Sequence, residues 1–351
     1  MDATIVLKLN TFMTLSRTYL TAFLSISTLA AAGSYKLIKT IPIPGEGGWD
    51  YLFADSPNRQ LYVSHSTEVD VVNLDSGTLV GKIANTNGVH GIAVAGDLGR
   101  GFVSDGRDNQ VTIFDLKTLA TLSTAKTGAN PDGILYDPFS KRVFTFNGRS
   151  NDMTAIDAAS GNVAGTVPLG GKPEFPATDA NGNVYVNIED KSEIVQFDPK
   201  ALEIKNHWSL APQCDSPSGL AIDTKSRRLF AVCENKVMAI VDADNGKVIT
   251  TVPTGAGTDA AAFDPGTKLA FASNGQDATL TVIKEESPDK YGVVQNVKTA
   301  RGARTMALDL KTHTVYLSDA DYSPAPAPTT EAPRARPKMI PGTFKLLVVA
   351  Q

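Results

Sequence analysis

The sequence has few of the residues and motifs on which many enzymes depend. Among its 351 residues are two cysteines, four histidines and two tryptophans. It contains no Cys-x-x-Cys pair, no glycine-rich phosphate loop with its lysine and no Gly-x-Ser-x-Gly elbow. These absences exclude a thiol redox motif, a P-loop nucleotide site and the nucleophile elbow of α/β-hydrolases. The spacing of Ser, His, Asp and Cys suggests no catalytic triad either, so no catalytic residue is predicted.

Basic patches are also missing. No run of lysine and arginine contains interleaved aromatic residues, and the formal net charge is −4. Because nucleic acids bind proteins mainly through positive charge, this balance disfavours a nucleic-acid partner. Hydrophobic residues make up 42% and charged residues 20% of the chain, which is typical of a protein with a full globular core.

One apolar run suggests a targeting segment. Arg17 precedes the run 19–29, which ends in Ala30-Ala31-Ala32. This order of charged, apolar and small residues predicts a signal peptide over residues 1–32 and a periplasmic or secreted protein. Cleavage after the alanines removes two basic and one acidic residue, so the net charge of −4 becomes −5 and no membrane span remains. An uncleaved anchor is the alternative, although the run is too short to span a bilayer comfortably.

From residue 33 onward the sequence repeats. Seven polar residues each precede a short apolar run ending near Asp, at spacings of 40, 42, 42, 44, 41 and 45 residues. They are Asp50, His90, Asp132, Glu174, Ser218, Asp259 and Arg304. The clearest repeat contains four β-type runs separated by turn residues, at 133–137, 142–146, 153–157 and 162–167. Seven such units predict an all-β, seven-bladed β-propeller with four-stranded antiparallel blades over residues 33–351.

The last repeat lacks one strand. After its first two strands, only residues 344–349 remain with a strand pattern. Residues 35–43 have the pattern of an outer strand, so we expect the N-terminal strand to close blade seven in a three-plus-one arrangement.

The repeats resemble a known family. The segments VFTFNGRSNDMTAIDAASGNVAGTVPLGGKPE, LYVSHSTEVDVVNLDSGTLVGKI and GFVSDGRDNQVTIFDLKTL are similar to the YVTN-repeat β-propellers, in particular the exported YncE-like group. The resemblance covers nearly all of residues 35–351 and implies the propeller fold, but it implies little about function. A nucleic-acid partner is suggested only by this resemblance. The Tyr-Val-Thr-Asn motif is altered at residues 62–65 and 185–188, which suggests that blades one and four are specialised.

Two rings of residues are predicted to converge on one mouth of the central channel, because inner strands begin on the face that carries the loops between second and third strands. The inner ring consists of the seven polar residues that open the repeats. The second ring consists of His65, Asp105, Asn147, Ile188 with Glu189, Cys233 with Glu234, Asn274 and Asp319. We expect a polar ligand at this mouth. Polar residues that are only hydrated and paired with neighbouring loops are the alternative.

The inner ring also suggests a metal. Its carboxylates and imidazole are ligands for one divalent ion such as copper, zinc or calcium. The predicted metal ligands are His65, His90, Glu174 and Asp259. A metal with an open coordination position lowers the pKa of bound water, so a metal-dependent hydrolase of the lactonase or esterase type is the alternative function. Asn147 and Asn274 are further ligands in that interpretation.

Two arginines suggest an anion-binding rim. Arg107 and Arg149 occupy equivalent positions after Asp-Gly and Asn-Gly. With Arg304 they are predicted to receive a carboxylate or phosphate. Pairing with the adjacent Asp108 and Asp152 is the alternative.

The two cysteines are predicted to pair. Cys214 precedes the inner strand of blade five and Cys233 ends its second strand, so antiparallel pairing brings both to one face. In an exported chain this arrangement predicts a structural disulfide. Coordination of a soft metal is the alternative.

A proline-rich insertion at residues 321–341 interrupts blade seven. Its prolines favour a stiff, extended chain, and it is predicted to be a lid or docking arm over the mouth, or a solvated insertion. The sequence as a whole predicts an exported monomer that binds a small polar molecule, a metal ion or an envelope protein.

Overall fold

The computed structural model describes residues 34–324 and 337–351. The predicted signal peptide and the centre of the proline-rich insertion lie outside the described residues. The described part contains 28 β-strands and two 3-10 helices, Gly96–Leu98 and Glu189–Lys191, but no α-helix. Within these residues, no helix has the length and apolar character needed to cross a membrane.

The strands form seven sheets of four. Blade one contains β2 (Leu52–Asp55), β3 (Gln60–His65), β4 (Glu68–Asn73) and β5 (Leu79–Ala84). Blade two contains β6 (Val89–Ala95), β7 (Arg100–Asp105), β8 (Gln110–Asp115) and β9 (Thr121–Lys126). Blade three contains β10 (Pro131–Asp137), β11 (Arg142–Asn147), β12 (Asp152–Asp157) and β13 (Val163–Pro168). Blade four contains β14 (Pro173–Thr178), β15 (Val184–Ile188), β16 (Glu193–Asp198) and β17 (Glu203–Ser209).

The remaining blades follow the same plan. Blade five contains β18 (Pro217–Asp223), β19 (Arg228–Cys233), β20 (Val237–Asp242) and β21 (Val248–Pro253). Blade six contains β22 (Thr258–Asp264), β23 (Leu269–Asn274), β24 (Thr279–Ser287) and β25 (Lys290–Lys298). Blade seven contains β26 (Met306–Asp309), β27 (Thr314–Asp319), β28 (Lys345–Ala350) and β1 (Lys36–Pro42).

The ring closes through the N-terminal strand, as predicted. Blade seven has the strand order β1-β28-β27-β26, and β1 pairs antiparallel with β28. Tyr35, next to β1, is buried and exchanges hydrogen bonds with Gln295 of blade six. The first described residues therefore join the last two blades. The predicted seven-bladed fold and its three-plus-one closure are confirmed.

Short polar residues end the third strands and form the turns that lead to the fourth. Asp115 Oδ1 accepts a hydrogen bond from Thr118 N at 2.8 Å, and Asp157 Oδ1 accepts one from Ser160 N at 2.8 Å. Asn73 accepts from Ser76 N in the same way. Such side-chain caps replace lost ladder hydrogen bonds and favour turns. This repeated chemistry explains why the strand boundaries are readable in the sequence.

The core is divided among the blade interfaces. One apolar cluster between blades three and four contains Phe144, Val186 and Phe197. Another, which contains Leu61 and Phe344, joins blades one and seven. Because each strand alternates its side chains between two faces, every blade contributes to the two interfaces that flank it. Burial against both neighbours makes the seven blades one cooperative unit.

Cys214 and Cys233 form a disulfide in blade five, with their Cα atoms 5.4 Å apart. Cys233 is the last residue of β19 and Cys214 lies just before β18. Both are fully buried in the apolar cluster between blades four and five. The bond therefore attaches the loop that leads into blade five to that blade's second strand.

Candidate functional site

The inner ring takes its position from a repeated irregularity of the inner strands. His90, Asp132, Glu174, Ser218 and Asp259 are each the second residue of an inner strand. In β6, for example, Val89 pairs with Asp105 and the next pair is Ile92 with Val103, so His90 and Gly91 oppose one residue. The other four strands contain the same register shift. A β-bulge redirects a side chain, and here it occurs at each of these ring positions.

Hydrogen bonds between blades hold the ring in place. Ser104 of blade two donates to the carbonyl of Asp132 in blade three at 2.7 Å. Asn187 of blade four donates to the carbonyl of Ser218 in blade five at 2.9 Å. Thr305 of blade seven donates to the carbonyl of Asp50 in blade one at 2.6 Å. Backbone carbonyl groups of ring residues thus accept hydrogen bonds from the neighbouring blades.

A polar cavity of about 270 Å³ lies within this ring. It is lined by Asp50, Tyr51, Asp132, Lys172, Glu174, Phe175, Glu189, Ser218, Asp259 and Arg304. The ring positions of blades one, three, four, five, six and seven therefore converge as predicted. The ring centroids of Tyr51 and Phe175 lie 4.4 Å apart, so an aromatic pair forms the apolar part of the wall.

His90 joins the ring through two carboxylates. Its Nδ1 lies 2.6 Å from Asp50 Oδ2 and 3.7 Å from Asp132 Oδ1. Burial lowers the pKa of His90, but the hydrogen bond to Asp50 and the charges of Asp132 and Asp50 outweigh it and raise the pKa above its usual value. Donor atoms of these three residues lie within 4.8 Å of one another. They form a cluster of one nitrogen and two oxygen ligands.

Two fixed cations partly balance the carboxylates of the cavity. Arg304 pairs with Asp259, and its Nη2 lies 3.4 Å from Asp50 Oδ1. Lys172 Nζ lies 2.6 Å from Glu174 Oε1 and also pairs with Glu189. The cavity contains five carboxylates and only these two permanent cations. Its electrostatic character is therefore acidic.

Burial raises the pKa values of three carboxyl groups in the cavity. Burial and the charge of Asp132 raise the pKa of Glu174 to about 8, although Lys172 opposes this. Burial raises the pKa of Asp132 to about 6 against the opposing charge of His90. Burial also raises the pKa of Asp259, again in opposition to its arginine partner. A further positive charge in the cavity would stabilise the ionised forms of all three groups.

The second ring lies on the same face, but its members bond within their own blades. Asp105 accepts from Thr112 at 2.6 Å, and Asn147 donates to Asp152 at 2.6 Å. Asn274 donates to Thr281 at 2.9 Å. These three residues are fully buried and do not line the polar cavity, whereas Glu189, another member of the second ring, does line it. The three buried side chains reach across to the third strand of the same blade, because opposed residues of adjacent strands lie on the same face of the sheet.

His65 is separated from His90 in the structure. It is 1% exposed, its Nδ1 lies 2.8 Å from Asp70 Oδ2, and its ring packs on Phe344 with centroids 4.6 Å apart. Its potential metal-ligating neighbours are Glu68 and Asp70, whereas those of His90 are Asp50 and Asp132. The four residues predicted as metal ligands are therefore not brought together. Glu174 and Asp259 are instead paired with Lys172 and Arg304.

The predicted rim arginines are exposed. Among the described residues, neither Arg107 nor Arg149 forms an ion pair, and Asp108 and Asp152 bond to Asn87 and Asn147 instead. Arg304 does not join them, since it lies in the polar cavity. The local arginine–aspartate pairs considered from sequence are not formed.

Three residues of the cavity wall were missed in the sequence. Lys172 lies two residues before a ring position, and Tyr51 and Phe175 directly follow ring positions. The Gly-Gly-Lys-Pro-Glu segment is a signal for Lys172, since its glycines allow the preceding turn to bring a side chain close to the ring. The tyrosine and phenylalanine gave no such signal, because inner-strand aromatic residues are usually core residues.

Comparison with known proteins identifies the fold. No protein-family model matches the chain, and no curated protein matches it in sequence. A structure titled Kuenenia stuttgartiensis hydrazine synthase matches with a TM-score of 0.67 and 15% identity, covering 78% of this chain and 94% of that chain. Structures of U3-55K and of the RRP9 WD40 repeats each match with a TM-score of 0.72 and 8% identity. They cover 88% and 89% of this chain and 97% of each matched chain. At these identities the likeness is one of fold, and the chain is a seven-bladed β-propeller.

Proposed function

We propose that this protein is an exported binding protein that holds a small cationic ligand at the mouth of its channel. The observation that carries the proposal is the lining of the polar cavity, where five carboxyl groups face two permanent cations, and His90 contacts two of these carboxyl groups from outside the lining. A buried charge without a partner is costly, so a cavity with excess carboxylates favours a positively charged occupant. An ammonium group fits this environment because it donates up to three hydrogen bonds and accepts none.

Two carboxyl groups and one hydroxyl group of the cavity support the same proposal. Asp132 and Glu174 both have raised pKa values, which a bound cation would lower. Ser218 Oγ lines the cavity and has no hydrogen-bond partner among residues 34–324 and 337–351. The positive charge of an organic cation would stabilise the two carboxylates, and an additional polar group on that cation would form a hydrogen bond with Ser218 Oγ.

Calorimetric titration with n-butylamine tests this function. Asp132→Asn should weaken binding about tenfold or more, because a hydrogen bond to a charged group contributes about 1.5–3 kcal/mol. Asp97→Asn is the matched control, since Asp97 pairs with Lys141 outside the cavity. Equal losses in both variants, or no binding to the unaltered chain, would refute the proposal.

A divalent metal ion is the second candidate occupant. Asp50, His90 and Asp132 present donor atoms within 4.8 Å of one another, and two carboxylates with an imidazole suit zinc or copper. A metal bound there would act as a Lewis acid and lower the pKa of a water ligand, which is the basis of the hydrolase alternative. Elemental analysis of protein purified without chelator tests this. Stoichiometric metal that is lost in His90→Ala would support it, and absence of metal after dialysis against zinc and copper would reject it.

We also infer membership of the YVTN-repeat propellers of the exported YncE-like group and a periplasmic or secreted location. The repeat segments support the first inference. The disulfide between Cys214 and Cys233 supports the second, since structural disulfides persist mainly in oxidising compartments. N-terminal sequencing of the protein recovered outside the cytoplasm tests the location, and a mature chain that begins near residue 33 is the expected result.

A further inference from the structure

A second cavity, of about 710 Å³, adjoins the polar cavity on the same face. Arg304 lines both cavities. Its guanidinium is held by Asp259 and Asp50, so it forms part of the boundary of both cavities. A single ligand that passes Arg304 would therefore occupy both cavities.

The wall of the second cavity is largely apolar, and backbone hydrogen bonds hold one part of it in place. Ala300, Ala320, Tyr322 and Pro337 contribute to it. Tyr322 forms a β-bridge with Met339. The two chain segments around this bridge are joined by hydrogen bonds from Ser323 N to Lys338 O and from Ile340 N to Asp321 O, each of 2.8 Å. The aromatic ring is thus presented by a short β-ribbon rather than by an isolated loop residue.

Asp319 is the buried member of the polar residues in this wall, which also include Gln276, Arg301 and Asp321. The residue is 2% exposed and lines the cavity. Its Oδ2 lies 3.5 Å from Lys345 Nζ, whereas Oδ1 has no hydrogen-bond partner in the described part of the chain. Leaving a buried acceptor unsatisfied is unfavourable. A positively charged ligand nearby would reduce this cost.

We propose that the ligand of this site is an amphiphilic amine, with its ammonium group in the polar cavity and its apolar body in the second cavity beside Tyr322. This inference rests on the proposed function and narrows it from small cations in general to cations that carry an apolar group. Charge selects the head group through the excess carboxylates, and burial of apolar surface selects the body.

Three probes separate the two contributions when titrated into the full chain by calorimetry. The probes are n-butylamine, 4-phenylbutylamine and 4-phenylbutan-1-ol. The amphiphilic amine should bind about tenfold or more tightly than either of the others, because only it combines the ammonium group with a buried phenyl ring. Equal affinity of the two amines would overturn the inference and leave the proposed function intact. Equal affinity of phenylbutylamine and phenylbutanol would overturn the inference as well, because charge would then contribute nothing. Failure of all three to bind would reject both proposals.

Two exposed aromatic residues provide the matched variants. Tyr322→Ala should remove most of the preference for 4-phenylbutylamine over n-butylamine, while Phe139→Ala should retain it. Tyr322 is 42% exposed and Phe139 is 39% exposed, but only Tyr322 lines the cavity. An unchanged preference in Tyr322→Ala would contradict the inference. If 4-phenylbutylamine bound only after deletion of residues 325–336, the chain itself would be the occupant and the inference would be wrong.

Discussion

Glu174 provides the most direct test of the electrostatics of the cavity. Its side chain is 14% exposed, and burial together with the charge of Asp132 raises its pKa from 4.5 to about 8. Lys172 opposes the shift without cancelling it. The ionised form of Glu174 is therefore unfavourable in the folded protein, and replacing it by an uncharged isostere should stabilise the protein wherever the carboxylate is ionised.

The sign of the pH dependence follows from the two pKa values. Between pH 4.5 and about 8, Glu174 retains a proton in the folded state that it has lost in the unfolded state. The contribution of this residue to the free energy of unfolding is fully present below pH 4.5 and is lost as the pH rises through 8. At about 1.4 kcal/mol per pH unit, this interval corresponds to at most about 5 kcal/mol. Because Glu174 and Asp132 titrate together, we expect about 1–3 kcal/mol.

Urea unfolding of the unaltered chain and of Glu174→Gln at pH 5 and pH 9 measures this effect. The difference in stability between the two proteins should shift by about 1–3 kcal/mol in favour of the glutamine variant at the higher pH. The pair with Lys172 forms fully only when Glu174 is ionised, and its effect is already included in the raised pKa of Glu174.

The matched control is Glu189→Gln. Glu189 is the other carboxylate that pairs with Lys172, but its side chain is 35% exposed. Solvent screens an exposed charge, so this substitution should change the free energy of unfolding less than Glu174→Gln does. An identical stability difference at pH 5 and pH 9 for Glu174→Gln would show that its charge is well accommodated in the fold, and the reasoning about the acidic cavity would fail.

Three further results are expected. Affinity for n-butylamine should rise from pH 5 to pH 9, because a bound cation favours ionised Asp132 and Glu174, whose pKa values are about 6 and about 8. Calorimetry in buffers of different ionisation enthalpy should detect the release of protons on binding. An affinity that does not change with pH would contradict this prediction. Tyr35→Ala should lower the free energy of unfolding by about 3–5 kcal/mol, since this 2%-exposed residue anchors the closing strand. Urea unfolding measures this effect. A decrease in the free energy of unfolding of less than about 1 kcal/mol would count against that role. Replacement of Cys214 and Cys233 by serine should cost about 3 kcal/mol and make unfolding insensitive to reductant, whereas a reductant-sensitive double variant would refute the assignment.

Only part of the candidate site could be predicted from the sequence. The recurrence of a polar residue before the apolar run of each repeat correctly indicated that Asp50, Asp132 and Asp259 converge. The matching recurrence at the ends of the second strands was misleading about His65 and Asn147. Their side chains satisfy hydrogen bonds inside their own blades, since alternation along a strand turns them away from the channel.

The sequence by itself determined the architecture. A period of about forty residues, strand patterns separated by turn residues and a missing last strand were sufficient to predict seven blades and their closure. Only the tertiary structure decided the chemistry of the mouth. Three features of the mouth join residues of different blades or loops. They are the contact of His90 with Asp50, the sharing of Lys172 between Glu174 and Glu189, and the second cavity beside Arg304. Local sequence patterns govern strands and turns, whereas the β-bulges and the packing of blade against blade aim these side chains.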